Sequence, residues 1–232
     1  MELAGRVMML TGASSGIGEA TARMAHAEGM QVALAARRAD RLRDIAAELP
    51  SALAVPTDVT SAEAVVAFRE RTLEHFGAID VLVNCAGQGL HVPLLDVERQ
   101  DFQAVWALNV LAPLALMQAV LPSMARRASG AIVNVSSGTS RRVIPGLGAY
   151  AATKAALNML SEVARKEFAP KGVTVSLVLP GITATEFHRS LRAGGMAGGG
   201  GDRAAAAPEV VAAAILEAAR SGAPEVVVGA GH

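Results

Sequence analysis

A tyrosine and a lysine four residues apart are the side chains of this sequence best suited to acid–base chemistry. Tyr150 is the single tyrosine of the 232 residues, and Lys154 follows it one turn later if the segment is helical. An ammonium beside a phenol favours the phenolate, so the pair predicts a tyrosine with a pKa below its usual value of about 10. Such a tyrosine can act as a general acid or base. Taken alone, the pair also fits a buried tyrosine beside a surface lysine.

Short apolar runs alternate with longer amphipathic segments and predict the elements that position this pair. Strands are predicted at Val7–Leu10, Gln31–Ala35, Ala52–Val55, Val81–Val83, Ala131–Val135, Thr174–Leu179 and Glu225–Val228. Helices are predicted over residues 16–28, 38–48, 61–76, 98–127, 149–169 and 208–221. This alternation, with strands rich in Val, Ile and Leu, is typical of an α/β fold whose parallel sheet has helices on both faces. Residues 1–232 are expected to form a single domain.

A glycine-rich loop lies between the first predicted strand and the first predicted helix. Its sequence from Thr11 to Gly18 is Thr-Gly-Ala-Ser-Ser-Gly-Ile-Gly. The glycines allow the backbone to turn tightly and to approach a phosphate, which the N–H groups at the start of the helix then bind. A glycine triplet alone is weak evidence, but its place after the first strand is the one that a dinucleotide site requires.

The end of the second predicted strand indicates which dinucleotide is bound. In the usual pattern an acidic residue there binds the ribose 2′-hydroxyl. This chain has Arg37 and Arg38 in place of an acid. Because a guanidinium matches a phosphate through two parallel hydrogen bonds, the arginines predict a preference for NADP(H) over NAD(H), with Ser14 as a further donor. The alternative is a solvated charge pair at the start of a helix.

The composition argues against several other classes of partner. The 21 basic and 21 acidic residues cancel, which disfavours a nucleic-acid surface and a basic membrane patch. The single Cys85 excludes an internal disulfide and is typical of a reducing compartment. The first residues lack the pattern of a signal peptide, and no apolar run reaches the ~18 residues that cross a membrane. We therefore expect a cytoplasmic protein. The five histidines show no metal-ligand spacing, so no metal site is expected.

Several motifs in a fixed order resemble those of the short-chain dehydrogenase/reductase family, and the resemblance covers residues 5–187. The glycine loop resembles the family's coenzyme loop, and Tyr150 with Lys154 forms its Tyr-x3-Lys motif. Ser137 precedes Tyr150 by thirteen residues, which is the family's spacing. Asn84-Cys85-Ala86-Gly87 is similar to the family's Asn-Asn-Ala-Gly, with Cys85 in place of the second Asn. The other matching positions are Asp58-Val59 after the third strand, Asn109 in the long central helix, and Pro180-Gly181, Thr183 and Thr185 after the sixth strand.

The resemblance implies a Rossmann-type doubly wound parallel sheet of about seven strands and a role for each matching residue. The catalytic residues would be Ser137, Tyr150, Lys154 and Asn109. The coenzyme would be held by Gly12, Ser14, Ser15, Gly16, Ile17, Gly18, Arg37, Arg38, Asp58, Val59, Asn84, Ala86, Gly87, Tyr150, Lys154, Pro180, Gly181, Thr183 and Thr185. The family also implies a homodimer or homotetramer in which helices 98–127 and 149–169 pair between copies.

The implied reaction interconverts a carbonyl and a secondary alcohol with NADP(H). Tyr150 would exchange a proton with the substrate oxygen, and Ser137 would hold that oxygen. Lys154 would bind the nicotinamide ribose and lower the pKa of Tyr150, while Asn109 would hold a water that connects Lys154 to solvent. His91 either lines the substrate pocket or packs at the surface. Residues 88–92, 137–146 and 186–203 are expected to wall that pocket. Seven apolar residues make its surface mainly apolar and predict a hydrophobic substrate: Leu90, Val143, Ile144, Leu147, Phe187, Leu191 and Met196.

Residues 186–207 are expected to form a mobile loop over the substrate, because four consecutive glycines at 198–201 disfavour a helix. The alternative is an ordinary surface loop. Two other functions stay open: a catalytically silent NADP-binding regulatory protein of the same fold, and a related epimerase or dehydratase. Such regulators usually lose the Tyr or Lys of the motif, which this chain keeps. Epimerases often have a longer substrate domain, for which little sequence is present after residue 187.

Overall fold

Seven parallel strands form one sheet in the computed structural model, which describes residues 1–195 and 205–229. The strands are β1 (Val7–Thr11), β2 (Gln31–Ala36), β3 (Leu53–Pro56), β4 (Val81–Asn84), β5 (Gly130–Val135), β6 (Val173–Pro180) and β7 (Glu225–Val228). Their order across the sheet is β3-β2-β1-β4-β5-β6-β7. The predicted doubly wound α/β fold is confirmed, and each predicted strand agrees with the structure to within about one residue at either end.

The direction of strand addition reverses at β1. The chain runs outward from β1 through β2 to β3 and then crosses back, so that β4 pairs with the other edge of β1. Met8 accordingly lies opposite Val32 in β2 and opposite Val81 in β4. In sheets of this kind a ligand crevice opens at the carboxyl ends of the strands on either side of the reversal. The loops that follow β1, β2 and β4 therefore meet where a dinucleotide is expected.

Helices cover both faces of the sheet. They are α1 (Gly16–Ala27), α2 (Ala39–Glu48), α3 (Ala62–Phe76), α4 (Arg99–Trp106), α5 (Ala112–Arg126), α6 (Gly148–Phe168) and α7 (Pro208–Ser221). Successive strand residues point to opposite faces, so Met8 and Leu10 belong to the apolar layer under α1, α2 and α7, and Met9 to the layer under α3, α5 and α6. Both layers are built mainly from aliphatic side chains, as the low aromatic content predicts.

The long helix predicted over residues 98–127 is interrupted. A single wide turn over Ala107–Leu111 separates α4 from α5, and in it the Ala112 N–H bonds to the Ala107 carbonyl five residues earlier. Pro113 has no N–H to bond to the carbonyl of Asn109, which is a physical reason for the irregular turn at this point. Wide turns of this kind are frequent at functional sites.

The helical stretch Arg99–Arg126, which includes the wide turn, is more apolar than the sequence patterns indicated. Its length and composition would allow it to cross a membrane, since one 18-residue window has a mean hydropathy of 1.8. Half of that window is buried inside the protein, where Leu116, Met117 and Val120 of α5 pack in the same apolar layer as Met9. Because a core helix passes the same test, the stretch is only weak evidence for a membrane span.

Candidate active site

The predicted acid–base pair lies on α6 at the carboxyl edge of the sheet. Tyr150 and Lys154 are both buried, with 7% and 4% of their surface exposed. The Lys154 Nζ donates a hydrogen bond to the Val135 carbonyl at the end of β5 at 3.0 Å, and it lies 5.9 Å from the centre of the Tyr150 ring. The helix thus places the phenol and the ammonium in one buried space, one turn apart.

Burial moves the pKa values of these two groups in opposite directions. It raises the pKa of Tyr150 to about 12 and lowers the pKa of Lys154 to about 8, because each charged form loses its solvation. The Ser137 hydroxyl beside the phenol lowers the pKa of Tyr150 and offsets part of that rise. The sequence predicts a lowered pKa for Tyr150. For this structure that prediction is wrong, because the loss of solvation outweighs the hydrogen bond with Ser137.

Ser137 stands just beyond β5, where a short 3-10 helix over Gly138–Arg141 begins. Its Oγ accepts hydrogen bonds from the Thr139 N–H at 3.2 Å and from the Thr139 hydroxyl at 2.9 Å. A hydroxyl has two acceptor positions and one donor. With both acceptor positions engaged, the Ser137 proton is kept for donation, which is the role that the sequence predicts for it.

Asn109 lies in the wide turn between α4 and α5 and is fully buried. Its Oδ1 accepts a hydrogen bond from the Gln88 N–H at 3.0 Å, and its Nδ2 donates to the Gln88 carbonyl at 2.9 Å and to the Thr153 hydroxyl at 3.1 Å. Thr153 in turn donates to the Tyr150 carbonyl at 2.7 Å. Asn109 therefore joins the loop after β4 to the helix that carries the tyrosine.

A glycine separates Asn109 from Lys154. A Cβ built on Gly87 would lie 3.2 Å from Asn109 Oδ1 and 3.4 Å from Lys154 Nζ. The two polar side chains consequently border one small space, which is kept open because residue 87 has no side chain. Asn109 and Lys154 therefore lie close together at Gly87, and Ser137 lies beside the Tyr150 phenol.

Polar residues that the sequence motifs do not indicate support Ser137. Asn158 lies on α6 one turn after Lys154, and its Nδ2 donates a hydrogen bond to the Ser140 hydroxyl at 3.0 Å. Its Oδ1 accepts from the Ser136 hydroxyl. The Ser140 hydroxyl donates to the Ser137 carbonyl at 2.7 Å. The signal that could have identified Asn158 is its spacing from Lys154, which puts both residues on one face of the helix.

The glycine loop between β1 and α1 fits a phosphate because side chains are excluded from it. Gly12 has a φ of 71°, and a Cβ there would lie 2.8 Å from the Ala86 nitrogen. A Cβ at Gly18 would lie 2.1 Å from the Gly12 carbonyl oxygen. Thr11 fastens this loop to the one after β4, since its Oγ1 accepts hydrogen bonds from the N–H groups of Cys85 and Ala86 at 3.1 and 3.2 Å. The residues present thus fit the dinucleotide site that the sequence predicts.

Asn84 is tied into the sheet rather than left free at its edge. Its Nδ2 donates a hydrogen bond to Asn134 Oδ1 on β5 at 2.7 Å, and the Asn134 Nδ2 donates to the Ser161 hydroxyl on α6 at 2.8 Å. Within the described residues its Oδ1 accepts no hydrogen bond. Burial raises the pKa of the neighbouring Cys85 thiol to about 12, so this thiol is neutral. Asn84 therefore links β4, β5 and α6, and its contact with a coenzyme stays a prediction.

Arg38 lies between β2 and α2 and faces the glycine loop. Its Nε donates a hydrogen bond to the Ser14 hydroxyl at 3.1 Å, and a terminal nitrogen donates to the Ser14 carbonyl at 3.2 Å. Arg37 lies near Asp58. The pKa of Asp58 is lowered mainly by the hydrogen bond from the Thr60 N–H, and Arg37 adds a smaller lowering. Two further residues predicted to hold the coenzyme are apolar. Ile17 packs against the core, and Val59 is buried.

A carboxylate that the sequence motifs do not indicate also binds Arg38. Glu186 accepts a hydrogen bond from Arg38 at 3.0 Å and another from Arg41 at 3.1 Å. The arginines are therefore not simply a solvated pair of charges, because Arg38 has an anionic partner. Residues 38 and 186 are 148 positions apart, so no local pattern could have indicated the contact.

The turn after β6 returns to the glycine loop. The Gly181 N–H bonds to the last carbonyl of β7 at 2.8 Å, which anchors Pro180 and Gly181 at the edge of the sheet. The Thr183 hydroxyl donates to the Gly181 carbonyl at 3.3 Å. Thr185 lies against the glycine loop, since a Cβ at Gly16 would lie 2.9 Å from its Cγ2. The predicted nicotinamide side of the coenzyme site is thus adjacent to the predicted phosphate side.

An apolar cluster surrounds Tyr150 on the side predicted for the substrate. Its buried members are Leu90, Val105, Ala149 and Tyr150. Phe187, in the 3-10 helix Glu186–Arg189, packs on Tyr150 with the ring centres 5.8 Å apart. Val143 is fully exposed, so it contributes less to this surface than the sequence predicts. Met196 and the four glycines at 198–201 lie outside the described residues.

Residues 187–195 are fastened to the loop after β4. The Arg192 N–H bonds to the Gly89 carbonyl at 2.8 Å, and the His91 N–H bonds to the Ala193 carbonyl at 3.2 Å. The Arg192 side chain pairs with Asp101 at 2.7 Å. This part of the predicted loop 186–207 therefore closes over the apolar cluster. Its predicted mobility stays a prediction, because residues 196–204 lie outside the described part of the chain.

A doubly wound parallel sheet with a glycine loop at its reversal point and a tyrosine–lysine helix at its edge defines a class of dinucleotide-binding enzyme. Comparison with known proteins agrees with that class. Residues 6–195 match the family described as short chain dehydrogenase. An uncharacterized oxidoreductase of Staphylococcus aureus is 36% identical over 185 residues, which are 79% of this chain and 80% of that protein. The chain belongs to the short-chain dehydrogenase/reductase family, and it is an oxidoreductase of CH–OH and C=O groups.

Two solved structures show how closely the fold is shared. An alcohol dehydrogenase from Thermococcus sibiricus, complexed with 5-hydroxy-NADP, has a TM-score of 0.86 and 31% identity, covering 96% of this chain and 95% of that one. A 3-ketoacyl-(acyl-carrier-protein) reductase from Brucella melitensis, complexed with NADH, has a TM-score of 0.88 and 27% identity, covering 97% and 96%. One neighbour holds a derivative of NADP and the other holds NADH, so likeness of fold does not select the coenzyme.

Proposed function

We propose that this protein is an NADP(H)-dependent oxidoreductase that interconverts a carbonyl and a secondary alcohol, with Tyr150 as its general acid or base. The burial of a neutral phenol next to Ser137 and Lys154, beside the glycine loop, supports this function most directly. The plainer interpretation of the motif was a packed tyrosine beside a surface lysine. It does not fit Lys154, whose ammonium is buried and bonded to the end of β5.

The residues that would hold the coenzyme lie along the carboxyl edge of the sheet. The glycine loop and the first turn of α1 would bind the pyrophosphate. Asp58 and Val59 would contact the adenine, and Thr183 and Thr185 the nicotinamide carboxamide. When bound, the coenzyme supplies or accepts a hydride. The remaining chemistry, which is the transfer of a proton and the stabilisation of charge on the substrate oxygen, falls to side chains of α6 and to Ser137 just beyond β5.

Tyr150 is suited to give a proton in the direction of reduction. With a pKa of about 12, its phenol is protonated at neutral pH and can donate to the substrate oxygen as negative charge develops there. Ser137 keeps its proton for a second hydrogen bond to the same oxygen. In the direction of oxidation the phenol must first lose its proton. The Lys154 ammonium, 5.9 Å from the ring centre, then stabilises the phenolate.

Asn109 positions this pair in the proposed mechanism rather than exchanging a proton with the substrate. Its amide holds the Gln88 backbone and the Thr153 hydroxyl, and Thr153 holds the Tyr150 carbonyl. It also borders the space at Gly87 that Lys154 borders. A water in that space would connect Lys154 to solvent and carry its proton.

The proposed preference for NADP(H) rests on the arginines after β2. Ala36 occupies the end of β2, where an acid would bind the ribose hydroxyl of NAD. Arg38 already lies on the Ser14 hydroxyl, so a 2′-phosphate at this position would receive hydrogen bonds from the guanidinium and from Ser14. Arg37 adds a second positive charge nearby, beside Asp58.

A hydrophobic ketone or alcohol fits the surface around Tyr150 best. Leu90 and Phe187 pack about the phenol, and a Cβ at Gly89 would lie 2.6 Å from the Leu191 side chain. An apolar substrate gains free energy when it displaces water from such a surface, whereas a sugar would leave its hydroxyl groups without partners there.

We further propose that copies of the chain meet along α5 and α6 as a homodimer or homotetramer. A groove of about 360 Å³ between these helices is lined mainly by apolar side chains, among them Leu114, Met117, Leu121, Leu160, Val163 and Phe168. Met159 and Val163 are 61% and 45% exposed. A second copy would remove this surface from water. In this proposal residues 1–232 act as one unit in the cytoplasm, as the composition indicates.

A turnover screen tests the proposed function. The protein is incubated with NADPH or NADP⁺ and a series of carbonyls or alcohols graded in size and polarity, and the absorbance of the reduced nicotinamide is followed. Turnover is expected with apolar substrates before polar ones. Tight coenzyme binding without turnover of any substrate would support the regulatory alternative instead.

A further inference from the structure

One carboxylate reaches the arginines near β2 from a distant part of the chain. Glu186 follows Thr185 and begins the 3-10 helix after β6. Its Oε2 accepts a hydrogen bond from Arg38 at 3.0 Å, and its Oε1 accepts one from Arg41 at 3.1 Å. The hydrogen bond from Arg38 is the largest single cause that lowers the pKa of the carboxyl, and the hydrogen bond and charge of Arg41 lower it further. Glu186 is therefore ionised at neutral pH and bridges two cations.

One partner of Glu186, Arg38, is a donor that the proposed function gives to the coenzyme, and Arg41 is bound to the same carboxylate. Arg38 also donates to the hydroxyls of Ser14 and Ser15 in the glycine loop, so one guanidinium is shared between that loop and the carboxylate. A phosphate monoester presents the same kind of acceptor oxygens as a carboxylate and carries a charge of about −1.5 to −2. Two such anions at one guanidinium repel each other. A 2′-phosphate that binds Arg38 must therefore compete with Glu186.

We infer, on the basis of the proposed preference for NADP(H), that Glu186 is a specificity-determining residue that occupies the 2′-phosphate donors as an internal anion. NADP(H) displaces it and breaks its two ion pairs. NAD(H), which has a hydroxyl at this position, leaves the pairs in place and finds the charge of Arg38 already balanced. Glu186 accordingly weakens NADP(H) binding selectively and narrows the discrimination between the two coenzymes.

Direct binding of NADPH and NADH to the wild type and to Glu186→Gln tests this inference without turnover. The substitution keeps the shape of the side chain and removes its charge. The dissociation constant of NADPH should fall by about three- to tenfold, which corresponds to two exposed ion pairs that no longer have to be broken. The constant of NADH should stay unchanged or rise. Nicotinamide fluorescence at a fixed low ionic strength gives both constants.

Glu209→Gln is the matched control. Glu209 lines one cavity together with Glu186, Arg41 and Thr185, but it lies in the first turn of α7 instead of bridging the arginines. Removing this charge should change the ratio of the NADPH and NADH constants by less than Glu186→Gln does, because Glu209 acts only through the general charge of the site. An Arg41→Met background supplies a second check, because Glu186→Gln should have a smaller effect once one of the two ion pairs is gone.

The ratio of the NADPH and NADH constants decides the outcome. An identical ratio in the wild type and in Glu186→Gln overturns the inference. Equal tightening of both coenzymes overturns it as well, because it would show that Glu186 acts on a part of the site that both coenzymes share, for example through attachment of the segment after β6. A change of the ratio in Glu209→Gln as large as that in Glu186→Gln also overturns it, because the overall charge would then explain both. The wild-type ratio alone tests the proposed coenzyme preference. Tighter binding of NADH by the wild type contradicts that preference, while a shift towards NADPH in the variant still supports the role of Glu186.

Discussion

The catalytic end and the coenzyme end of the proposed site are held together by different kinds of interaction. At the catalytic end, Tyr150 and Lys154 are buried, and the residues around them are joined by hydrogen bonds to backbone groups. At the coenzyme end, the side chains of Arg38, Arg41 and Glu186 are 45%, 52% and 46% exposed and are joined by ion pairs. Leaving a buried group without its partner is costly, whereas an exposed ion pair contributes little and exchanges readily.

This difference matches what each end has to do. Proton transfer requires one geometry, which buried hydrogen bonds maintain. Coenzyme binding requires donors that can change partner, and exposed ion pairs allow that exchange. Substitutions at the catalytic end should therefore reduce kcat strongly and with little dependence on salt. Substitutions at the coenzyme end should change affinity by smaller factors that depend on ionic strength.

Removal of the phenol hydroxyl should have the largest effect. Tyr150→Phe keeps the ring and its packing on Phe187 but deletes the proton donor. We expect kcat to fall by at least ~10²-fold while the dissociation constant of NADPH stays within about twofold, since general acid–base catalysis contributes roughly 10²–10⁴-fold. Steady-state kinetics and coenzyme titration measure the two quantities. Near-normal turnover would reject the proposed mechanism.

Coenzyme choice should show a smaller effect. A charge-assisted hydrogen bond contributes roughly 1.5–3 kcal/mol, so kcat/KM should favour NADPH over NADH by about ten- to a hundredfold. Ala36→Asp combined with Arg37→Gln should weaken or invert that preference, because a carboxylate repels the phosphate and can accept hydrogen bonds from the ribose. Raised salt should weaken NADPH binding more than NADH binding. A wild-type preference for NADH would show that the arginines do not bind the 2′-phosphate.

The pH dependence of reduction should report Lys154. Its pKa is lowered to about 8 by burial, so the ammonium is charged below that pH and neutral above it, while Tyr150 stays protonated up to a pKa of about 12. The rate of carbonyl reduction should be level from pH 6 to 8 and fall by up to about tenfold per pH unit above 8. Lys154→Arg keeps the charge at every accessible pH, so any activity it retains should lack this fall. A level wild-type profile up to pH 10 would contradict the assignment.

Removal of a hydrogen bond that supports Ser137 should have the smallest effect on kcat. Ser140→Ala removes the hydroxyl that donates to the Ser137 carbonyl and accepts from Asn158. One such hydrogen bond is worth about 1 kcal/mol, so kcat should fall by less than about tenfold with little change in the KM of the coenzyme. Ser123→Ala is the control, because Ser123 makes a similar bond to the Val120 carbonyl on α5. Equal kinetics in the two variants would assign Ser140 to stability alone.

The sheet and most helices could be predicted from the sequence because their signals are local. Each strand is a short apolar run, and β6 was expected at Thr174–Leu179 and is found at Val173–Pro180. The exception is the helix predicted over 98–127. Its periodicity is helical throughout, but a proline near its centre leaves the carbonyl of Asn109 without a regular partner, and the turn widens there.

Residue types and spacing alone identified the tyrosine–lysine pair, the glycine loop and the arginines after β2. All three depend on neighbours within one loop or one helical turn, where chain geometry dictates which groups can meet. Only the tertiary structure decided how these groups behave. The pKa of Tyr150 rises instead of falling because packing by Leu90, Val105 and Phe187 removes water from the phenol. The contact between Arg38 and Glu186 likewise exists only because β6 returns the chain to the glycine loop, and no spacing along the sequence encodes that distance.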